Sequence, residues 1–456
     1  MSTTDKLLVL GAGPIGLCVA KALKSHGIAY DQVDASDGIG GNWHHGVYEA
    51  AHIISSRRTT EFPDYPMPAS FPDFPSRKNM LDYLNAYAQH FRLFDSIQLR
   101  QTVTSVAPLQ NGTWRVRFGE EETRDYRGVI VCNGHHWNRR WPDYPGKITT
   151  EYIHSKDYVT PDQLRGKRVL VIGGGNSACD IVSEAARVGA SAHLSLRRGY
   201  WFLPKVLFGR PTVELICPWI PLRAQRLLIR MALKVAVGNY RQYGLPPPDH
   251  EIFDHHPTIS SEVLHYLRHG RITVHPDIQQ FDGNTVEFID GTREPFDIVV
   301  AATGFHVSFP FLAPGLVPLK GPVAEVYGGM MTSEHRHLYI VGWMQPRYGF
   351  GPLIVPAADL LARIILSQER MRNPFGLILK RLGQKPAQTH LFDPNRTKLE
   401  IRLGRQCFLL FALSTAGWDE TRIERFAAIS NKQEQDQISD STASCSHSQR
   451  GDAGFQ

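Results

Sequence analysis

Gly11-Ala12-Gly13-Pro14-Ile15-Gly16 follows the apolar run Leu7 to Leu10 and opens a stretch, Leu17 to His26, patterned as a helix. Glycines at that junction suit one kind of chemistry. A pyrophosphate needs backbone N–H donors at the positive end of a helix, and a residue without Cβ lets the main chain approach it closely. Asp34 stands 18 residues beyond Gly16, at the end of the next strand pattern, Ala29 to Val33. A carboxylate there accepts hydrogen bonds from both hydroxyls of an unphosphorylated ribose, as in FAD or NAD. The loop Gly38-Ile39-Gly40-Gly41-Asn42-Trp43 then supplies flexibility and an aromatic side chain, so Asn42 and Trp43 are expected on the flavin side of such a ligand.

A second turn of the same kind follows the strand pattern Arg168 to Ile172: Gly173, Gly175, Asn176, Ser177 and Ala178 open another helix. The next strand, His193-Leu194-Ser195-Leu196, ends in Arg197-Arg198 rather than in an acid. Two guanidinium groups suit the extra phosphate of NADPH, which a carboxylate would repel. One chain therefore carries two dinucleotide cradles, one read as an FAD site and one as an NADPH site.

Other chemistries find little support. The 20 histidines show no metal-ligand spacing and no Ser–His–Asp grouping stands out. His135-His136, at the exit of the strand Gly128 to Cys132, reads as a surface or core pair. His154 lies between the two cradles and reads as a residue that orients them or touches NADP. Six cysteines without a Cys-x-x-Cys spacing argue for reduced thiols in a cytoplasmic setting. A net charge of +6 without a long basic block makes nucleic acid a poor partner.

The elements required to position these residues define the fold class: α/β, with two dinucleotide-binding (Rossmann-like) domains, the NADP domain inserted into the FAD domain. The expected division is 1–165 for the first part of the FAD domain and 166–305 for the NADP domain, with a helical insertion near 205–260. The chain would return to the FAD domain over 306–385, continue in a helical extension over 386–428 and end in a disordered tail, 429–456. Residues 43–75 read as ordered loop, Met80 to Phe91 and Val355 to Gln368 as helices, and Thr113 to Phe118 and Thr285 to Phe288 as strands. No apolar run reaches the roughly 18 residues that span a bilayer. The basic, amphipathic stretch Glu214 to Gly238 reads chiefly as a packed helix and secondarily as a peripheral membrane contact.

With these residues in place, the chain resembles the flavin-containing monooxygenases, Class B flavoprotein monooxygenases, over roughly residues 5 to 370. The resemblance rests on Gly11 to Leu17, Gly40-Gly41-Asn42-Trp43, Phe62-Pro63-Asp64-Tyr65-Pro66, Gly173 to Asp180 and Ala302-Thr303-Gly304-Phe305. The family's linker fingerprint, Phe-x-Gly-x-x-x-His-x-x-x-aromatic, is matched by Ile148 to Tyr158, which keeps His154 and Tyr158 but lacks the Phe and the Gly. The resemblance implies that NADPH reduces FAD, that dioxygen adds to give a flavin hydroperoxide, and that a soft nitrogen or sulfur nucleophile of a small molecule takes the distal oxygen. Tyr158, where related Baeyer–Villiger enzymes usually carry Trp, leans toward heteroatom oxygenation. Family enzymes often place Asn beside the flavin, and here Ile54 falls at that place. Ser55, Ser56 and Arg57 are the nearest candidates for a catalytic role, and Gln345 lies in the stretch that returns to the flavin. A Baeyer–Villiger oxygenase, an NADPH:flavin reductase with another acceptor and a flavin protein without catalysis remain the alternatives.

Overall fold

The computed structural model describes residues 2–216, 220–347, 349–394 and 396–402. Two five-stranded parallel sheets organise it. In the first, the order is Leu338–Ile340, Gly128–Val131, Leu7–Leu10, Tyr30–Val33 and Ile97–Gln98. In the second, it is Glu151–His154, Ile298–Ala301, Arg168–Ile172, Ser191–Ser195 and Thr273–His275. The central strands are apolar runs buried along their length, as a parallel sheet covered on both faces requires.

Both sheets reverse their strand order beside the strand that leads into a glycine turn. Leu7–Leu10 pairs with Tyr30–Val33 on one side and Gly128–Val131 on the other. Arg168–Ile172 pairs in the same manner with Ser191–Ser195 and Ile298–Ala301. A crevice opens beyond the strand ends at such a switch point, and the glycine turns stand there. The two halves agree even in their exit bonds: Gly11 N donates to Val33 O (2.7 Å) and Gly173 N to Ser195 O (3.0 Å).

The first sheet is covered by the helix Pro14–Ser25, which packs on Gly351–Gln368. Gly351–Gln368 is the one helix among the described residues long and apolar enough to cross a membrane by length and composition, a feature the sequence expectation did not include. Leu361, Ala362, Ile364 and Ile365 bury its face in the first core. The antiparallel strands Val103–Pro108, Trp114–Phe118 and Glu122–Tyr126 add a separate layer, with Trp114, Val116 and Phe118 alternately inward.

Three expectations change. The second sheet takes its edge strand, Glu151–His154, from the segment assigned to the first domain, so the chain crosses over before residue 166. It does so because the four residues find a parallel partner in Ile298–Ala301. The 43–75 stretch is not loop throughout, since Asn42–Gly46 makes a wide helical turn and Arg57–Thr60 a short helix with a Ser56 capping box. Within 386–428, Leu391–Phe392 forms a strand beside Gln345–Pro346; positions 403–428 of the expected extension and the whole expected tail lie outside the described residues. The amphipathic stretch yields the helix Leu222–Ala236, which buries Gln225 and Leu233 and leaves Leu227, Leu228, Met231 and Val235 exposed.

Two buried tyrosines join the segments flanking the first cradle to the helix Asn176–Val188 of the second. Tyr48 donates to Asp180 Oδ2 (2.5 Å) and Tyr158 to Glu184 Oε2, and burial raises the pKa of both carboxyls. Tyr48→Phe leaves the Asp180 carboxyl without this donor, at a cost of about 1–3 kcal/mol. Urea unfolding of the two proteins is expected to show a lower midpoint at unchanged slope for the variant.

Candidate active site

The helix Pro14–Ser25 begins at Gly13 with φ −75° and ψ −177°, has Pro14 in its first turn, and has no side-chain cap. Its first N–H groups therefore point outward without a partner from the cap side chain, which is the condition for binding an anion. Gly11 and Gly16 are required by space as well as conformation. Gly11 has φ +111°, and a Cβ on it would lie 2.4 Å from Cys132 O; a Cβ on Gly16 would lie 2.0 Å from Gly11 O. The Ile15 side chain packs under Gly342, and a Cβ there would meet it at 2.3 Å. Asp34 stands at the mouth of the turn, accepting from Ala12 N (2.7 Å) and Ser36 N (2.8 Å). Each carboxylate oxygen retains acceptor capacity for a ribose hydroxyl.

The second cradle repeats the design. Gly175 caps Asn176–Val188 at φ −82° and ψ 178°, again with no side-chain cap. A Cβ on Gly175 would meet nothing within 4 Å, so the main chain is open to a ligand at that point. Gly173 has φ +122° and fits against Ala302 O, while Ala178 is fully buried and closes the helix onto the sheet. Asn176 serves the fold through its side chain, accepting from Ile259 N (2.7 Å) and donating to Pro257 O (3.3 Å). Thr258 adds a bond to Gly174 O (2.7 Å), so the end of the insertion clamps the turn. Ser177 sits beside the Tyr48 hydroxyl.

Arg197 is exposed at the strand exit. Arg198 lies over the Tyr200 ring, 5.3 Å from its centre, with Nη1 3.1 Å from His255 Nε2. Its buried Nε has no hydrogen-bond partner. An unpaired guanidinium donor beside an uncapped helix N-terminus fits a phosphorylated ribose.

Between the cradles lies a lysine that the sequence reading did not single out. Lys156 Nζ donates to Asn42 Oδ1 (2.9 Å), Gly46 O (2.9 Å) and His136 O (3.2 Å), so one ammonium ties the Asn42–Gly46 turn to the linker. Burial, with Arg139 nearby, pulls its pKa down to about 8. Trp43 in that turn packs against the first core, and its carbonyl accepts from Arg77 Nε (3.3 Å).

His136, whose carbonyl accepts from this lysine, gathers three more histidines, two of them from distant parts of the chain. His135 donates through Nδ1 to Gly342 O (3.1 Å), leaving its buried Nε2 without a partner, and its ring lies 4.1 Å from that of His136. His256 comes from the insertion, and His390 from the segment whose carbonyl accepts from Gln345 N (2.8 Å). Burial depresses all four; His256 falls to about 4, and His136 is further lowered by the charges of His135, His256, Lys156 and His390. His135 and His136 are both partly buried, lying between the surface and the sealed core. The signal was the adjacent pair itself; their companions are too far away in sequence to be linked to it.

In the structure the side chains of Ser55, Ser56 and Arg57, the expected catalytic candidates, are engaged in local hydrogen bonds. Ser55 Oγ meets Thr60 Oγ1 (2.6 Å), buried Ser56 caps the short helix, and Arg57 Nη1 donates to Pro68 O (3.0 Å). A four-residue helix needs such ends satisfied, and these side chains supply that. Ile54 packs on the second core. His154 is also structural: Nε2 donates to Gly304 O (3.1 Å) and Nδ1 accepts from Lys156 N (3.1 Å), so both ring nitrogens hold backbone.

Alanine separates the roles of two glycines. Gly16→Ala is expected to lower the melting temperature and FAD content together, because its Cβ strikes Gly11 O. Gly175→Ala should melt with wild type and bind NADPH about tenfold more weakly, read by equilibrium titration, since its methyl enters the ligand's approach. The depressed histidines set an acid limit. His256 stays neutral in the fold down to about pH 4. The unfolded chain takes up that proton near pH 6.5, so stability falls as pH drops from 6.5 toward 4. His256→Gln should make this slope shallower by about one proton, measured by denaturation at several pH values.

Residues 4–371 match the family described as flavin-binding monooxygenase-like. Flavin-containing monooxygenase 5 of Oryctolagus cuniculus is 30% identical over 392 residues, 78% of this chain and 72% of its own length. Dimethylaniline monooxygenase [N-oxide-forming] 2 of Macaca mulatta is 30% identical over 389 residues, with the same coverage of 78% and 72%. Among solved structures, a flavin-containing monooxygenase from Stenotrophomonas maltophilia superposes with a TM-score of 0.61 at 24% identity, covering 80% of this chain and 99% of its own. OTEMO in complex with FAD and NADP gives 0.67 at 18% identity, covering 81% and 86%. Two uncapped glycine turns stand at the switch points of two parallel sheets, and the chain belongs to the flavin-binding monooxygenase-like family as an FAD- and NADPH-dependent monooxygenase.

Proposed function

We propose that this monooxygenase transfers one oxygen atom of dioxygen to a soft nitrogen or sulfur nucleophile of a small organic molecule. The observation that carries the reading is the electrostatic character of the space between the cradles. Its partly buried cation, Lys156, has its donors on three oxygens of the fold, and the histidines near His136 are held neutral by burial. Oxygenation of a ketone passes through an anion that calls for a free cation nearby. Arg57 is engaged with Pro68 O, Arg139 with Asp157 and Arg347 with Asp393, while Arg58 points out as an exposed residue. A soft nucleophile makes no such demand. The N-oxide-forming name of the Macaca mulatta relative supports the same reading.

FAD fits the first cradle through Gly11 to Gly16 and Asp34, and NADPH the second through Gly173 to Ala178 with Arg197 and Arg198. Together the bound cofactors supply reducing equivalents and oxygen activation. The chain's part is positioning and exclusion. Lys156 holds the Asn42–Gly46 turn against the linker, the uncapped helix ends bind pyrophosphate, and the neutral histidines offer hydrogen bonds without adding charge. A site that shields its reacting groups from water in this manner needs few acid–base residues.

The test offers a sulfide and a ketone together with NADPH under air and follows oxygen uptake, NADPH use and products. Sulfoxide in step with NADPH consumption is the expected result. Ester without sulfoxide would place the reaction on carbonyl carbon, and hydrogen peroxide without any oxygenated product would reduce the protein to an oxidase or reductase; either outcome overturns the proposal.

A further inference from the structure

The second sheet carries a side-chain cluster that lies outside the two glycine turns. His193 lies on Ser191–Ser195 and His275 ends the neighbouring strand Thr273–His275. Glu294 belongs to Arg293–Pro295, in the antiparallel sheet formed with Thr285–Phe288 and Ile278–Gly283. Three elements of two different sheets thus bring two imidazoles and a carboxylate to one point.

The distances have the form of a coordination polyhedron. His193 Nδ1 lies 2.9 Å from His275 Nε2 and 3.3 Å from Glu294 Oε2, and His275 Nε2 lies 3.9 Å from the same oxygen. Nitrogen and oxygen ligands about 2.0–2.1 Å from zinc at tetrahedral angles stand about 3.4 Å apart. The three separations bracket that edge.

The surroundings fix the ligand atoms. His193 Nε2 is 3.0 Å from Ser191 Oγ, and donating its proton there leaves Nδ1 as a bare lone pair. The His275 ring stacks on Phe288 at 4.2 Å and 12°, and His193 meets Phe296 edge-on at 5.0 Å. Both histidines are buried while Glu294 is 38% exposed, so the pocket is walled by aromatics and open on its carboxylate side. A hydrogen bond between the two imidazoles accounts for their contact but not for the carboxylate facing the same two nitrogens.

We propose that His193 Nδ1, His275 Nε2 and Glu294 Oε2 bind one zinc-class divalent cation, with water in the fourth position, and so clip the nucleotide sheet to the neighbouring antiparallel sheet. Two imidazoles and one carboxylate are borderline donors that suit zinc over calcium or magnesium. A different group, Asp37 with His44 and His45, is also compact, but Asp37 and His45 are exposed on the loop beside the first cradle. It serves as the internal control.

The test titrates zinc chloride calorimetrically into FAD-loaded enzyme that has been stripped with chelator and dialysed, in a His45→Ala background that disables the exposed group. One equivalent is expected to bind with micromolar or tighter affinity and to raise the melting temperature, and chelator should reverse the rise. Glu294→Gln should weaken binding at least tenfold while keeping wild-type flavin content, and His275→Gln should do the same. If His275→Gln fails to fold, Glu294→Gln on the partly exposed side decides alone. No saturable binding, or equal affinity in Glu294→Gln, overturns the proposal.

Discussion

The helices Pro14–Ser25 and Asn176–Val188 each begin at a glycine with no side chain to cap them, and the rest of the architecture accommodates that omission. An uncapped helix start carries unpaired N–H groups and a positive dipole end, which lowers stability unless an anion or water satisfies it. At Gly13 and Gly175 the omission comes with space for a pyrophosphate and no Cβ to obstruct it. Each turn must also stay narrow against its sheet. Gly11 and Gly173 therefore take positive φ beneath the carbonyls of Cys132 and Ala302, and neither position tolerates a side chain.

Placing two such turns in one chain creates a second requirement, that they face a common space. The chain meets it by entering the second sheet early, at Glu151–His154, and by joining the segments around the first cradle to the second helix through hydrogen bonds away from water. Tyr48 with Asp180 and Tyr158 with Glu184 are costly to desolvate and effective once paired, because an unpaired carboxyl in the same position would penalise any other arrangement. Lys156 acts similarly on the other side, spanning Asn42, Gly46 and His136.

Around Lys156 the titratable neighbours are mostly neutral. Burial holds His135, His136, His256 and His390 below their ordinary pKa values. Neutral imidazoles orient a ligand without attracting counter-ions or water, a useful property where the oxidising power resides in the cofactor and side reactions with water must be limited.

The sequence by itself determined the two glycine turns, the α/β class and the strands that flank each turn, but not Ile97–Gln98, Glu151–His154 or Thr273–His275. Glycine spacing, apolar runs and the identity of the residue after each second strand are local properties, and the physics they report acts over a few residues. Arg168–Ile172 and Thr285–Phe288 appear with the bounds their patterns imply. The tertiary structure alone decided what the other polar residues do. Ser55, Ser56 and Arg57 looked available, but their partners Thr60, Thr59 and Pro68 lie in a helix and loop whose local folding had not been anticipated. Beyond the adjacent pair His135-His136, Lys156, His256 and His390 carried no local pattern, since burial and convergence of distant segments set their protonation. A motif is legible when its energy is local; a site whose energy comes from desolvation and long-range contact is not.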